Sequence, residues 1–168
     1  MITLRHATPT DVEVIASLLT EVDRYYGATE EEPNSQRAPL IQAALFDTAP
    51  SAYTLLAFDG DRPVGLAAYS FLWPAAGVTR SLYLKELYVS EASRQQGVGR
   101  RLMAELCRVA DQNGCERVEW TADTDNPIAL SFYETLGVPP VSSKVFYRLV
   151  GDDVKQMADS VRMPGGRS

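Results

Sequence analysis

The stretch from Tyr83 to Arg100 constrains the fold more than any other part of the chain. Leu82, Leu84, Leu87, Tyr88 and Val89 form an apolar run interrupted by Lys85 and Glu86. That is the pattern of a strand buried on both faces except where it presents something polar. Arg94, Gln95, Gln96, Gly97, Val98 and Gly99 follow. Beyond them Val98, Leu102, Leu106, Val109 and Ala110 recur at helical spacing, with Arg100, Arg101, Glu105, Arg108 and Asp111 on the opposite side. Gly114 is predicted to close this helix. Strand, tight turn and helix in this order point to an α/β chain.

The turn carries the chemistry. The first amides of a helix have no internal partner and carry the positive end of the dipole. Two glycines there admit a ligand close to the backbone, and a phosphate or pyrophosphate is the natural guest. Arg94 and Arg100 add cationic forks suited to phosphate oxygens. A P-loop requires Lys-Ser or Lys-Thr after its last glycine, and a dinucleotide turn requires a third glycine where this chain has Leu102. What remains is R-x-x-G-x-G after a strand ending in Leu87-Tyr88-Val89. This resembles the coenzyme-A signature of the GNAT N-acetyltransferase superfamily. A second segment, Asn126 to Gly137, resembles the family's N-x-x-A-x-x-F-Y-x-x-L-G pattern.

Length and charge bound the alternatives. A chain of 168 residues is one domain of ordinary size, with 45% hydrophobic and 23% charged residues. No apolar run suits a membrane span, and the N-terminus lacks the pattern of a signal peptide. The net charge of −6 argues against a nucleic-acid partner. Cys107 and Cys115 are read as two small buried residues of a reducing cytoplasm, and His6 as a core or strand-end residue. No metal site is expected.

In chain order, Ile2 to Ala7 reads as a strand. A helix to about Tyr26 follows, with Thr10 as N-cap and Glu13 in a capping box. A second helix spans about Ser35 to Phe46, with Leu40, Ile41, Ala44 and Leu45 inward and a break at Pro39. Tyr53 to Phe58 and Pro63 to Leu72 form a hairpin, and Ser81 to Val89 is the central strand. After the long helix, Glu116 to Thr121 is a strand. Asn126 caps a helix with Pro127 at its first position, and Ser142 to Val150 is a last strand. A short helix is expected around Val154 to Val161, with Met163 to Ser168 frayed. The domain is placed at residues 1–150, with residues 151–168 as a tail. The order matches the superfamily. The resemblance implies an α/β fold with a mixed, mostly antiparallel sheet, flanked by helices, whose splayed central strands admit the pantetheine arm.

The resemblance also implies acetyl-CoA as cofactor, held by Leu87, Tyr88, Val89, Arg94, Gln95, Gln96, Gly97, Val98, Gly99, Arg100 and Asn126. It gives Tyr133 the role of proton donor to the leaving thiolate, close to the coenzyme sulfur. Transfer to an amine further requires a stabilised oxyanion, for which a backbone N–H near Tyr88 is the candidate. It also requires a base, because an alkylammonium has a pKa of roughly 10. Glu86 is that candidate, since a carboxylate interrupting an apolar strand is costly to bury without a purpose. Small-diamine acetyltransferases of the family often carry Glu-Asp before this segment. Lys85-Glu86 here argues against a diamine-type mechanism. In the family the first two helices roof the acceptor pocket, a region that here holds Asp23, Tyr25, Tyr26 and Glu30, Glu31 and Glu32. Trp73 and Tyr83 are candidates for another wall. The expected reaction is acetyl transfer to a primary amine of a small molecule. A peptide amine and a non-catalytic acyl-CoA sensor stand as alternatives, and a homodimer as the candidate assembly.

Overall fold

The structure is a computed structural model and describes residues 1–160. The chain divides after Leu130 into two compact units. In the first, β1 (Ile2–His6) leads through a 3-10 turn (Pro9–Asp11) into α1 (Val12–Tyr25) and α2 (Asn34–Phe46). Then come β2 (Tyr53–Asp59), β3 (Arg62–Leu72) and β4 (Arg80–Val89), a 3-10 turn (Glu91–Ser93), α3 (Val98–Gln112) and β5 (Cys115–Trp120). The sheet order is β1-β2-β3-β4-β5. The first four strands form an antiparallel meander, and β5 is parallel to β4 through the α3 crossover.

Alternation along the strands separates two faces. Leu56, Leu66 and Tyr88 stand in register across β2, β3 and β4 and bury against Ile15, Leu18 and Val22 of α1. Gly65, one residue out of phase, lies under α3. A Cβ there would stand 3.6 Å from Leu102 and 2.7 Å from the Tyr88 carbonyl, so only glycine lets β3 and β4 approach this closely. Leu102 and Leu106 are fully buried, each stabilising the fold by roughly 1.5–3 kcal/mol. α3 therefore sits on the sheet face opposite α1. The glycine-rich turn at its start lies just past the end of β4.

The second unit begins inside α4 (Pro127–Thr135) and includes α5 (Asp152–Ser160). Residues 142–150 form a turn and irregular backbone, not the expected strand. Their apolar residues pair with no ladder among the described residues. The helix expected from about Val154 is α5, which begins at Asp152; Val161 and the fraying expected of Met163 to Ser168 lie outside the described residues.

Four further expectations are corrected. The capping box belongs to Thr8 and Asp11 rather than Thr10 and Glu13. Asp11 accepts from the Thr8 amide at 2.7 Å and is clasped by both terminal nitrogens of Arg5 at 2.7 Å each. Leu40 is exposed, and Pro39 sits within an unbroken α2. Cys107 is exposed on α3, while Cys115 is half-buried. No described helix is long and apolar enough to cross a membrane.

The Arg5 bond, foremost, holds the Asp11 carboxyl well below the usual carboxylate range. Its stabilisation is present above the unfolded carboxyl pKa of roughly 3.9 and lost as pH falls through the lower folded value. Arg5 is half exposed and solvent screens the pair. Asp11→Asn is therefore expected to cost about 1–2 kcal/mol near neutral pH, a Tm loss of roughly 3–6 °C. The gap should narrow in acid, as read by calorimetry across pH.

Candidate active site

β4 positions the site. Its ladder with β5 runs from Arg80–Cys115 to Leu84–Trp120 and stops there, while β4 continues to Val89. The central strands thus part after Leu84. At the same place β4 is bulged against β3, since Glu86 faces Ala68 and Leu84 faces Tyr69 with Lys85 extra. A bulge re-aims the side chains that follow it. Lys85 is exposed and Glu86 half-buried. The Ser90 amide donates to Val64 of β3 at 2.9 Å. By the two-residue alternation of an antiparallel ladder, the Tyr88 amide also faces β3, and the Leu87 and Val89 amides face the side β5 has left. Near Tyr88, the amides turned away from β3 are therefore those of its two neighbours.

The turn has the expected form. Gln95 has φ +61° and Gly97 φ +78°, and Gly97 is the N-cap of α3. The Arg101 amide is the one that closes onto the Gly97 carbonyl, at 3.1 Å. The amides of Val98 and Gly99 precede that bond, in the first turn, where a helix has no internal partner for its N–H groups. Val98 is buried beneath the turn, and a Cβ on Gly97 would meet nothing within 4 Å. This is an open cradle of donors at the positive end of a fifteen-residue helix. Gln96 ties the turn back through its side-chain amide to the Ala92 carbonyl at 3.0 Å.

Arg94 is half-buried beside the turn. Its Nε donates to the Val89 carbonyl at 3.0 Å, and its guanidinium carbon lies 5.0 Å from the Tyr25 ring centroid and 5.8 Å from that of Tyr88. The Tyr25 hydroxyl donates to Asn126 Oδ1 at 3.2 Å, and the same oxygen accepts from the Ala129 amide at 3.0 Å, capping α4. Glu21 of α1 accepts from the Tyr88 hydroxyl at 3.2 Å and from Ser90 at 2.7 Å.

Burial, foremost, raises the Glu86 pKa above its ordinary value. Lys85 and the Leu87 amide oppose the rise, and the charges of Asp123 and Asp23 add to it. Tyr26 is raised by burial and then by Glu86 and Asp123. Glu86, Tyr26, Asp23 and Asp123 therefore share one electrostatic neighbourhood. Asp123 is not among the site residues expected from the sequence. Its position just past β5, where that strand has left β4, was the available signal.

The remaining candidates are placed differently. Glu30 is exposed on its loop, where Glu31 pairs with Arg24 and Glu32 with Arg37, which also holds Asp23. The acidic loop is largely matched by arginines. Trp73 lies in the β3–β4 connection, at the opposite end of β4 from Val89, with its indole N–H on the Val78 carbonyl at 3.0 Å. Tyr83 is half-buried and shares a 3.3 Å hydrogen bond with Thr121. Tyr133 is half-buried on α4, its ring 5.2 Å from that of Phe132.

A family model described as the acetyltransferase (GNAT) family matches residues 15–138. The chain is similar to the thialysine N-epsilon-acetyltransferase of Sus scrofa, at 24% identity over 166 residues covering 92% of this chain and 96% of that one. Among solved structures it superposes on an integron cassette protein from the mobile metagenome of V. cholerae with a TM-score of 0.86 and 26% identity, covering 94% and 97% of the two chains. It superposes on an aminoglycoside N-acetyltransferase, AAC(6')-Iy in complex with CoA, with a TM-score of 0.73 and 20% identity, covering 89% and 95%. The parted central strands, the glycine turn opening α3 and the family match over most of the chain lead to one conclusion: this chain belongs to the GNAT acetyltransferase family.

Proposed function

We propose that the chain transfers an acetyl group from acetyl-CoA to a primary amine of a small molecule, by direct attack of the amine. The observation that carries this reading is the open, donor-rich turn at Gln95 to Gly99, set immediately beyond the unpaired half of β4. The residues fit the cofactor. The first-turn amides of α3 and the Arg94 guanidinium suit its diphosphate, and the Leu87 and Val89 amides suit the pantetheine arm and the thioester oxygen. When bound, acetyl-CoA supplies an activated acyl group with a thiolate leaving group.

Glu86 is assigned to take the proton of the incoming ammonium. Its raised pKa brings it nearer to the operating pH, where a base works best. Asn126 caps α4 and offers its amide to the arm. Tyr133 follows Asn126 seven residues later in the chain. It is assigned to protonate the thiolate. A small amine is favoured by the acidic and aromatic neighbourhood of Glu86, Asp123 and Tyr26. The thialysine enzyme, similar over nearly the whole chain, is by its name an acetyltransferase for a side-chain amine.

An amine panel scored for thiol release from acetyl-CoA tests the assignment; release with none of amino acids, polyamines, aminoglycosides or peptides overturns it. Tyr133→Phe is expected to lower kcat about 10²-fold with the acetyl-CoA Kd unchanged within about twofold. Unchanged kcat would remove Tyr133 as the acid.

A further inference from the structure

The adjacent tyrosines that end α1 divide between two tasks. Tyr26 shares the electrostatic neighbourhood of Glu86 and Asp123, on the acceptor side. Tyr25 does something else. Its ring lies under the Arg94 guanidinium and its hydroxyl bonds Asn126, the two side chains assigned to opposite ends of the cofactor. Its ring also meets that of Tyr26 edge-on, with centroids 5.2 Å apart.

We infer that Tyr25 is a positioning residue for the cofactor rather than a wall of the acceptor pocket. This rests on reading the turn at Gly97 as the diphosphate seat. An arginine has five donors and four rotatable bonds, and it grips an anion well only when its fork is already oriented. Here Nε is held by the Val89 carbonyl, and the guanidinium carbon lies over the rings of both Tyr25 and Tyr88. Tyr88 is itself fixed through its hydroxyl to Glu21, so both rings answer to α1. Among the described residues no carboxylate pairs with Arg94. The hydroxyl of Tyr25 meanwhile donates to the Asn126 oxygen that caps α4. That bond and the cap both engage Oδ1, so that the NH2 group is the end left for the arm. One side chain of α1 thus pre-sets one residue for the diphosphate and one for the arm. Binding of the donor depends on the helix that also borders the acceptor.

The test uses full-length Tyr25→Leu, Tyr25→Phe and Tyr26→Leu. Acetyl-CoA Kd is measured by calorimetry, amine KM at saturating acetyl-CoA, and Tm. Tyr25→Leu is expected to weaken acetyl-CoA binding about tenfold, the size of a partly shielded cation–π contact. Tyr25→Phe, which keeps the ring and loses the hydroxyl, should weaken it about two- to threefold. Both should leave amine KM within about twofold. Tyr26→Leu should show the reverse split, and Tm should move little, because Tyr25 is 38% exposed. Parent-like acetyl-CoA affinity in Tyr25→Leu, or a defect confined to amine KM, overturns the inference while leaving the cofactor assignment intact. Failure of the parent protein to bind acetyl-CoA overturns both. Should the leucine variant not fold, the phenylalanine variant decides, and an unchanged Kd there counts against the role.

Discussion

Glu86→Gln is expected to lower kcat/KM for the amine by about 10²–10³-fold while making the protein more heat-stable in neutral and alkaline solution. Both effects have one origin. β4 is apolar on either side of Glu86, and the bulge at Lys85 re-aims the carboxylate into half-buried surroundings. There burial, and then the charges of Asp123 and Asp23, lift its pKa above the ordinary carboxyl value despite Lys85 and the Leu87 amide. The folded state therefore holds this proton more tightly than the unfolded chain. Its stabilising share is complete below the unfolded pKa of roughly 4.3 and is lost as pH rises through the higher folded value. At about pH 8 the parent carries a charge the fold disfavours, and glutamine does not. Near pH 4 or below, the parent is mostly protonated and the two should melt alike. Calorimetry at both pH values reads the stability half, and the acid limb of the pH–rate profile reads the catalytic half. If the variant retains that limb unchanged, or melts below the parent at about pH 8, Glu86 is neither the base nor a strained carboxylate.

The parts of this fold that were legible in the sequence are those whose signal is local. Val98, Leu102, Leu106 and Val109 announce α3 by their spacing, and all four are buried. The glycine turn that opens α3 and the Asn126 cap follow from residue type and position. The errors fall where a distant partner decides. Residues 142–150 are rich enough in β-branched and aromatic side chains for a strand, but a strand is completed by its neighbour, and no local pattern supplies one. Thr10 and Glu13 made a reasonable capping box on paper. Arg5, arriving from β1, instead recruits Asp11, and the cap moves to Thr8. Leu40 looked inward, but α2 is apolar on no single side. Its buried contribution narrows to Ile41. In the site, the motif showed which residues gather at the turn. It could not show that Arg94 lies over the rings of Tyr25 and Tyr88, or that Asp123 adds to the field at Glu86, because these interactions cross between α1, β4 and the end of β5.

Gly97→Asp should weaken acetyl-CoA binding by roughly 30–100-fold, and Gly97→Asn by much less. Aspartate and asparagine tolerate a positive φ better than other side chains and cap helices equally well. Each should therefore preserve the opening of α3, where Gly97 has φ +78° and space beyond it. They differ in charge. A carboxylate at this position lies among the same first-turn amides that the diphosphate needs. It satisfies them itself and repels the ligand, an effect of about 2–3 kcal/mol at a few ångströms in a partly exposed site. The loss should shrink with added salt as the repulsion is screened. A truncated donor separates this from general damage: S-acetylpantetheine lacks the diphosphate, so the parent and Gly97→Asp should use it equally well. If the aspartate variant binds acetyl-CoA like the parent, the diphosphate sits elsewhere. If it loses acetylpantetheine to the same degree, the substitution has disturbed β4 and the parted strands instead of the turn. Equal losses in aspartate and asparagine would mean that side-chain bulk at the turn, rather than the field of α3, governs entry.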